Sequence, residues 1–406
     1  MRSLSLATIF AAASGFIVLI VAAGALGSEG YNEFQAYWAL FFALTGCIDG
    51  VMQETTRAVS VSRETGRRGS GRPWRLGGLV AVIVLVAVLL TGALWIGLLL
   101  SEQRTSAVGL MAFGLASYSF QAVLSGILSG LGLWNQYAWL LALDSGIRLL
   151  LAVLAWAAGL GMWVYILLTV IGAASWLVVL AASPTARQAL AAPIDVSGRA
   201  LARRAGSAML ASGASAALIT GFPVFVQATS TETAGAVVTI SGIMMAVTLT
   251  RAPILVPLQR FQSALIVRFV EHRDRIYSAL VRPVAAVLGL GVFGGVLAWL
   301  IGPWILRMLP IDQGFEVPGL ILAILTFASA CTGSLMITGA ATLAVERHRP
   351  YVAGWMSASV IAFATLMLPL PLHITVCIAL ILGPVVGGGV HAAALRGASR
   401  STTAVD

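Results

Sequence analysis

Residues 76–100 read LGGLVAVIVLVAVLLTGALWIGLLL, a run with no charged side chain. A helix crosses the hydrocarbon layer of a bilayer with about 20 apolar residues, so this stretch alone predicts a membrane span. Its flanks give it a direction. Arg63, Arg67, Arg68, Arg72 and Arg75 precede it, and Glu102 follows it. Basic loops stay on the cytoplasmic side, so the run is expected to travel outward.

The same pattern recurs along all 406 residues. Eleven further runs are expected to span: 5–26, 34–53, 106–128, 137–158, 161–182, 207–228, 235–256, 284–305, 318–341, 351–370 and 372–394. Pro369 and Pro371 divide the last two, because proline removes a backbone donor and clashes with the preceding turn. The first run has signal-peptide features, with Arg2 before it and Ala23-Gly24-Ala25 resembling a cleavage site. Its length favours a retained helix, which also makes the span count even. Composition agrees with a chain dissolved mostly in lipid. Apolar residues are 59% and charged residues 10%, and mean hydropathy is +0.97. A soluble domain carries about 25% charged residues. A soluble enzyme, a disordered chain and a secreted disulfide scaffold are thereby excluded.

The charges sort by side. With the N-terminus in the cytoplasm, 21 of the 24 Arg fall on the inner side. Only Arg104 and Arg307 are outside, and Arg148 lies within a span. The outer loops instead carry Glu29, Glu33, Glu102, Glu232, Asp312 and Glu316. Both termini are expected inside. The net charge of +9 is explained by the inner loops and needs no nucleic acid. No Lys is present, which reads either as a GC-rich genome or as selection for bidentate anion contacts.

The inner segment 183–206, with Pro184, Pro193 and four Arg, divides six spans from six. The expected organisation is an N-terminal lobe over 1–182, a cytoplasmic linker over 183–206, a C-terminal lobe over 207–395 and a tail over 396–406. The expected fold is all-α and polytopic. Residues 258–276 are amphipathic and basic, expected either along the inner membrane surface or as a helix extended out of the bilayer. Gly126/Gly130, Gly291/Gly295 and Gly383/Gly387 are small-xxx-small pairs that let helices approach closely. Pro223 is expected to kink the seventh span.

Charges inside a bilayer are costly and each needs a reason. Asp49, Gln53 and Arg57 form one polar stripe on the second span, and Glu54 lies three residues before Arg57. Asp144 and Arg148 stand at i, i+4 on the fifth span, acid first, the favourable order for a helical pair. Arg251 precedes Pro253 and Pro257 on the eighth. Ser117, Tyr118 and Gln121 are polar positions of the fourth. One reading is a cationic cavity between the lobes for an anionic substrate, since the planar guanidinium makes two parallel bonds to phosphate. The alternatives are inner-edge anchors for Arg57 and Arg251, and a structural ion pair for Asp144 and Arg148. Asp49 has no anchor role and stands as a proton-relay candidate. Cys47, Cys331 and Cys377 read as small apolar residues, and no His pair has metal spacing. No cofactor, metal site, P-loop or catalytic outer domain is indicated.

Leu26-Gly27-Ser28-Glu29-Gly30-Tyr31-Asn32-Glu33-Phe34, followed by a span ending Gln53-Glu54-Thr55-Thr56-Arg57, resembles the opening of bacterial polysaccharide flippases. Ser129-Gly130-Leu131-Gly132-Leu133-Trp134-Asn135-Gln136-Tyr137, Gly221-Phe222-Pro223 and Thr250-Arg251-Ala252-Pro253 are similar to the same group. It is a branch of the multidrug/oligosaccharidyl-lipid/polysaccharide exporter superfamily. The resemblance implies two six-helix lobes around a central cavity, alternating access, and a glycan on a polyprenyl (pyro)phosphate as substrate. It then places Arg57, Arg148 and Arg251 at the phosphate, and Gln53, Gln121, Ser117 and Tyr118 at sugar hydroxyls. Asp49, Glu54 or Asp144 would couple a proton. Membrane lipids and glycosyltransferases of the same pathway are the expected partners. The rival readings are a cation-coupled small-molecule exporter, a membrane glycosyltransferase or polymerase, and a scaffold without transport of its own.

Overall fold

The computed structural model describes residues 2–230, 238–271, 275–308, 315–345 and 347–402. All regular structure among the described residues is helical, with no strand among them. Two compact units are present, Met1–Ala216 and Ala217–Asp406.

The first unit opens with α1, Arg2–Thr65. At about 1.5 Å per residue, 64 residues would reach roughly three times the thickness of a bilayer core. The chain therefore has to change direction, and it does so at Gly27, whose φ of 66° is open to glycine and unfavourable for other residues. The first two apolar runs both lie on α1. The acidic outer loop expected between them is reduced to this single kinked residue, with helix on either side. Then come α2 (Pro73–Trp95), α3 (Arg104–Leu131), α4 (Trp134–Ala157), α5 (Met162–Ile171) and α6 (Ser175–Ala182). A 3-10 turn, Gly172–Ala174, joins the last two. The short α7 (Pro184–Ala189) and then α8 (Gly198–Ile219) follow, the last three residues of α8 already belonging to the second unit. The central element is α3, which packs against α1 and α2, while α4 packs along α1.

The second unit holds α9 (Phe222–Thr229), α10 (Ile240–Glu271), α11 (Ile276–Met308), α12 (Gly319–Ala344), α13 (His348–Leu366) and α14 (Leu372–Thr402). Here α12 is central, packed against α10, α11 and α14, and α13 pairs with α14. The break from α13 to α14 falls at the expected prolines. The seventh run is α8 plus α9, bent by 55°. Pro223 sits in the first turn of α9, where its missing donor leaves no intrahelical bond unmade. α10 continues unbroken to Glu271, so the amphipathic segment extends the span up to that point; residues 272–274, with His272 and Arg273, lie outside the described residues. So do Glu232, Asp312 and residues 235–237 of the eighth run.

Eight of the described helices are long and apolar enough to cross a membrane, and the bent pair α8–α9 makes a ninth candidate. α1 holds two of the expected runs, and the runs at 235–256 and 351–370 lie on α10 and α13. The outward faces of α2 and α11 are apolar: Leu90 is 76% and Leu94 81% exposed, with Phe293, Leu300 and Trp304 exposed as well. A face of that kind has lipid as its solvent. Each small-xxx-small pair lies at a helix contact. A Cβ on Gly126 or Gly130 would press on Thr55 and Val59 of α1, one on Gly291 on Ala330 of α12, and one on Gly383 on Ala362 of α13.

Candidate functional site

The polar stripe of α1 takes three different environments. Asp49 Oδ1 accepts a hydrogen bond of 2.7 Å from the Tyr118 hydroxyl of α3. Gln53, one turn on, is exposed. Glu54 is buried and holds Arg57 in a bidentate fork, Oε1 2.6 Å from Nη2 and Oε2 2.9 Å from Nε. The other edge of the same guanidinium donates to Asp195, at 3.1 Å and 3.2 Å. Arg57 is thus shared by two carboxylates. Sequence reasoning missed Asp195, yet it is the one acidic residue in segment 183–206, which would have singled it out.

On α4, Arg148 Nη1 lies 2.6 Å from Asp144 Oδ2. Both residues are buried. Arg148 Nε donates to the Thr169 carbonyl of α5 at 3.1 Å. Its guanidinium also lies over the Phe42 ring of α1, 5.0 Å from the centroid, a favourable cation–π position. Gly172 closes the space above the pair: a Cβ there would be 2.6 Å from both Arg148 Cζ and Asp144 Oδ1. The span tightens into its 3-10 turn at this point. The charges cancel, and the pair joins α4 to α5 and α1. Asp144 Oδ1 has no protein partner.

Ser117 donates to the Ala173 carbonyl at 2.8 Å and accepts from Trp176 Nε1 at 3.0 Å. Gln121 is buried, and among the described residues its Oε1 has no partner. The first unit therefore brings Asp49 to Tyr118 and Asp144 to Arg148, and ties Arg57 to Glu54.

The second unit contains Arg251, on α10. It is 8% exposed. Nη1 donates to the Ile219 carbonyl at 2.7 Å, the last residue of α8. The guanidinium stands over Phe222, 5.4 Å from the ring centroid. Among the described residues Nη2 has no hydrogen-bond partner and Arg251 is in no ion pair. The sequence supplies none nearby: no Asp or Glu occurs in the apolar runs of residues 217–406. A buried cation without a counter-ion is strongly disfavoured. In α9, close along the chain to Phe222, Gln227 Oε1 is also without a partner. No group of three His, Cys, Asp or Glu converges as a metal site among the described residues. Cys331 and Cys377 are buried, Cys47 is half-buried, and all three are free.

No protein-family model matches the chain. The uncharacterized protein Rv1510 of Mycobacterium tuberculosis is 39% identical over 394 residues, covering 96% of this chain and 90% of its own. Among solved structures, an inward-facing multidrug resistance MATE family transporter of the MOP superfamily superimposes with a TM-score of 0.72, at 14% identity over 95% of each chain. A MOP superfamily transporter from Pyrococcus furiosus superimposes with a TM-score of 0.67, at 13% identity, over 97% of this chain and 94% of its own. The description of that protein states that reverse polarity of its binding pocket suggests a different function. The fold of this chain is the multi-pass membrane fold of these transporters.

Proposed function

Since the chain belongs to the same family as Rv1510 and has the fold of MATE and MOP transporters, we propose that it is a membrane transporter working by alternating access. Its substrate is a glycan carried on a polyprenyl (pyro)phosphate, moved from the inner to the outer leaflet of a bacterial plasma membrane for envelope polysaccharide synthesis. Both termini are cytoplasmic, and the partners are membrane lipids and the glycosyltransferases that supply the glycan.

The observation that carries this reading is Arg251, a buried cation with a free Nη2 and no carboxylate partner among the described residues. An anionic head group crossing the bilayer supplies the missing charge, and its polyprenyl tail stays in lipid. Arg57 and Arg148 already have carboxylates, so in this state the anion falls to Arg251. Nη2 is closed off from solvent here, so the substrate reaches it in another state of the cycle. Gln227, in the same unit as Arg251, offers an amide group to sugar hydroxyls. The Asp49–Tyr118 pair is the proton-coupling candidate.

A second reading is cation-coupled export of small molecules, favoured by Asp49, whose carboxylate has a hydroxyl donor but no ion-pair partner among the described residues. Reconstituted vesicles separate the two. Under the first reading, polyprenyl-phosphate-linked glycan is translocated and Arg251→Lys impairs this, because the ammonium lacks the planar fork. One lost hydrogen bond to a charged group costs ~1.5–3 kcal/mol, or roughly 10- to 150-fold in affinity. Transport of organic cations, unaltered in Arg251→Lys, would establish the second reading instead.

A further inference from the structure

Residues 66–72, between α1 and α2, and residues 194–198, before α8, are far apart in sequence and bonded in space. Gly69 N–H donates to the Ile194 carbonyl at 2.5 Å and Gly71 N–H to the Val196 carbonyl at 3.0 Å. Asp195 N–H donates to the Ala58 carbonyl at 3.2 Å, and its carboxylate holds Arg57. The contact requires glycine: a Cβ on Gly69 would run into the Val196 backbone, and one on Gly71 would lie 2.6 Å from Ile194 Cδ1. Gly71 and Gly198 back onto each other, with a Cβ on Gly198 only 4.0 Å from Gly71 Cα.

Two sets of Arg flank this strap in the chain. Arg68, Arg72 and Arg75 come from the first segment, and Arg199, Arg203 and Arg204 from the start of α8. All six are exposed, and none is in an ion pair among the described residues. The strap's own acid, Asp195, is already taken by Arg57. The depth of both sets follows from the sequence. The apolar run of α2 begins at Leu76 and that of α8 at residue 207, so Arg72, Arg75, Arg203 and Arg204 all stand within about one helical turn of hydrocarbon. That is the headgroup layer.

We infer that the strap joining residues 69–71 to 194–196 builds a binding site for the phosphodiester of an anionic phospholipid. The backbone bonds hold the two segments together, so guanidinium forks from both are within reach of one headgroup. A soluble acidic partner fits less well, because the Arg lie at the level where lipid phosphates already are. Scattered inner-side Arg would set topology without any strap. Here the two segments are bonded together and the charge is concentrated.

The test uses the full chain in detergent, with phosphatidylglycerol and phosphatidylcholine as probes, and counts retained lipid by native mass spectrometry. Wild type retains a phosphatidylglycerol in preference to phosphatidylcholine. Each Arg near an anionic surface is worth about five-fold in affinity. Arg72→Gln/Arg75→Gln and Arg203→Gln/Arg204→Gln should therefore each weaken retention of that lipid by roughly 30-fold. Gly69→Ala keeps every Arg but separates the segments, and should lose the lipid as well. If one Arg pair can be removed without losing the lipid, the two sets act separately and the inference fails. It fails too if folded Gly69→Ala retains the lipid, if wild type shows no preference, or if polyprenyl phosphate displaces phosphatidylglycerol stoichiometrically.

Discussion

Gly172 stands over the Asp144–Arg148 pair so closely that a methyl group there would lie 2.6 Å from both Arg148 Cζ and Asp144 Oδ1. The ion pair and the glycine form one feature. The pair sits four residues apart on α4, and the residue that makes room for it comes from the next span. With the Thr169 carbonyl and the Phe42 ring, it surrounds a cation that lies within the fifth apolar run.

Gly172→Ala should therefore destabilise the protein by about 1–3 kcal/mol, the usual cost of overpacking a filled core. The added methyl pushes the guanidinium off its carboxylate. Thermal unfolding in detergent measures this. The same substitution in an Asp144→Ala background should cost less, because one of the two colliding groups has gone. Equal costs in both backgrounds would detach Gly172 from the pair.

Arg148→Ala leaves Asp144 buried and alone, and removing one partner of a buried pair costs about 3–5 kcal/mol. Asp144→Asn with Arg148→Gln removes both charges and should recover most of that loss. If the double variant folds and still complements a strain lacking a flippase, Arg148 has a structural role only. A double variant that folds but does not transport would return Arg148 to the substrate path.

The bend of 55° between α8 and α9 comes where Pro223 opens the second helix. Pro223→Ala restores a donor and favours a straighter span. Transport should slow by more than the yield of folded protein falls. Equal losses would make Pro223 a packing residue.

Orientation is checked with single cysteines in a background lacking Cys47, Cys331 and Cys377. Ser70 is exposed and outside any helix, so Ser70→Cys is a suitable reporter. In intact cells it should resist a membrane-impermeant thiol reagent, and it should react after permeabilisation. Labelling from outside would invert the assignment of 21 Arg to the inner side.

The helices and many of their ends were legible in the sequence because both follow from short-range physics. About 20 apolar residues need backbone bonds made within the segment once water is gone, and Pro369, Pro371 and Pro223 each remove a donor at a fixed place. The Asp144–Arg148 pair was legible for the same reason, since i, i+4 positions meet on any helix. The kink at Gly27 was not, because the acidic residues beside it read as a loop although they continue a helix. Nor were the partners of the remaining charges. Arg57 finds Asp195 at a separation of 138 residues, and Arg251 finds the Ile219 carbonyl 32 residues away. Those contacts depend on which helix faces meet, and no local period encodes that. Tertiary packing alone decided that Arg57 is shared with Asp195 and that, among the described residues, Arg251 keeps a buried nitrogen without a partner.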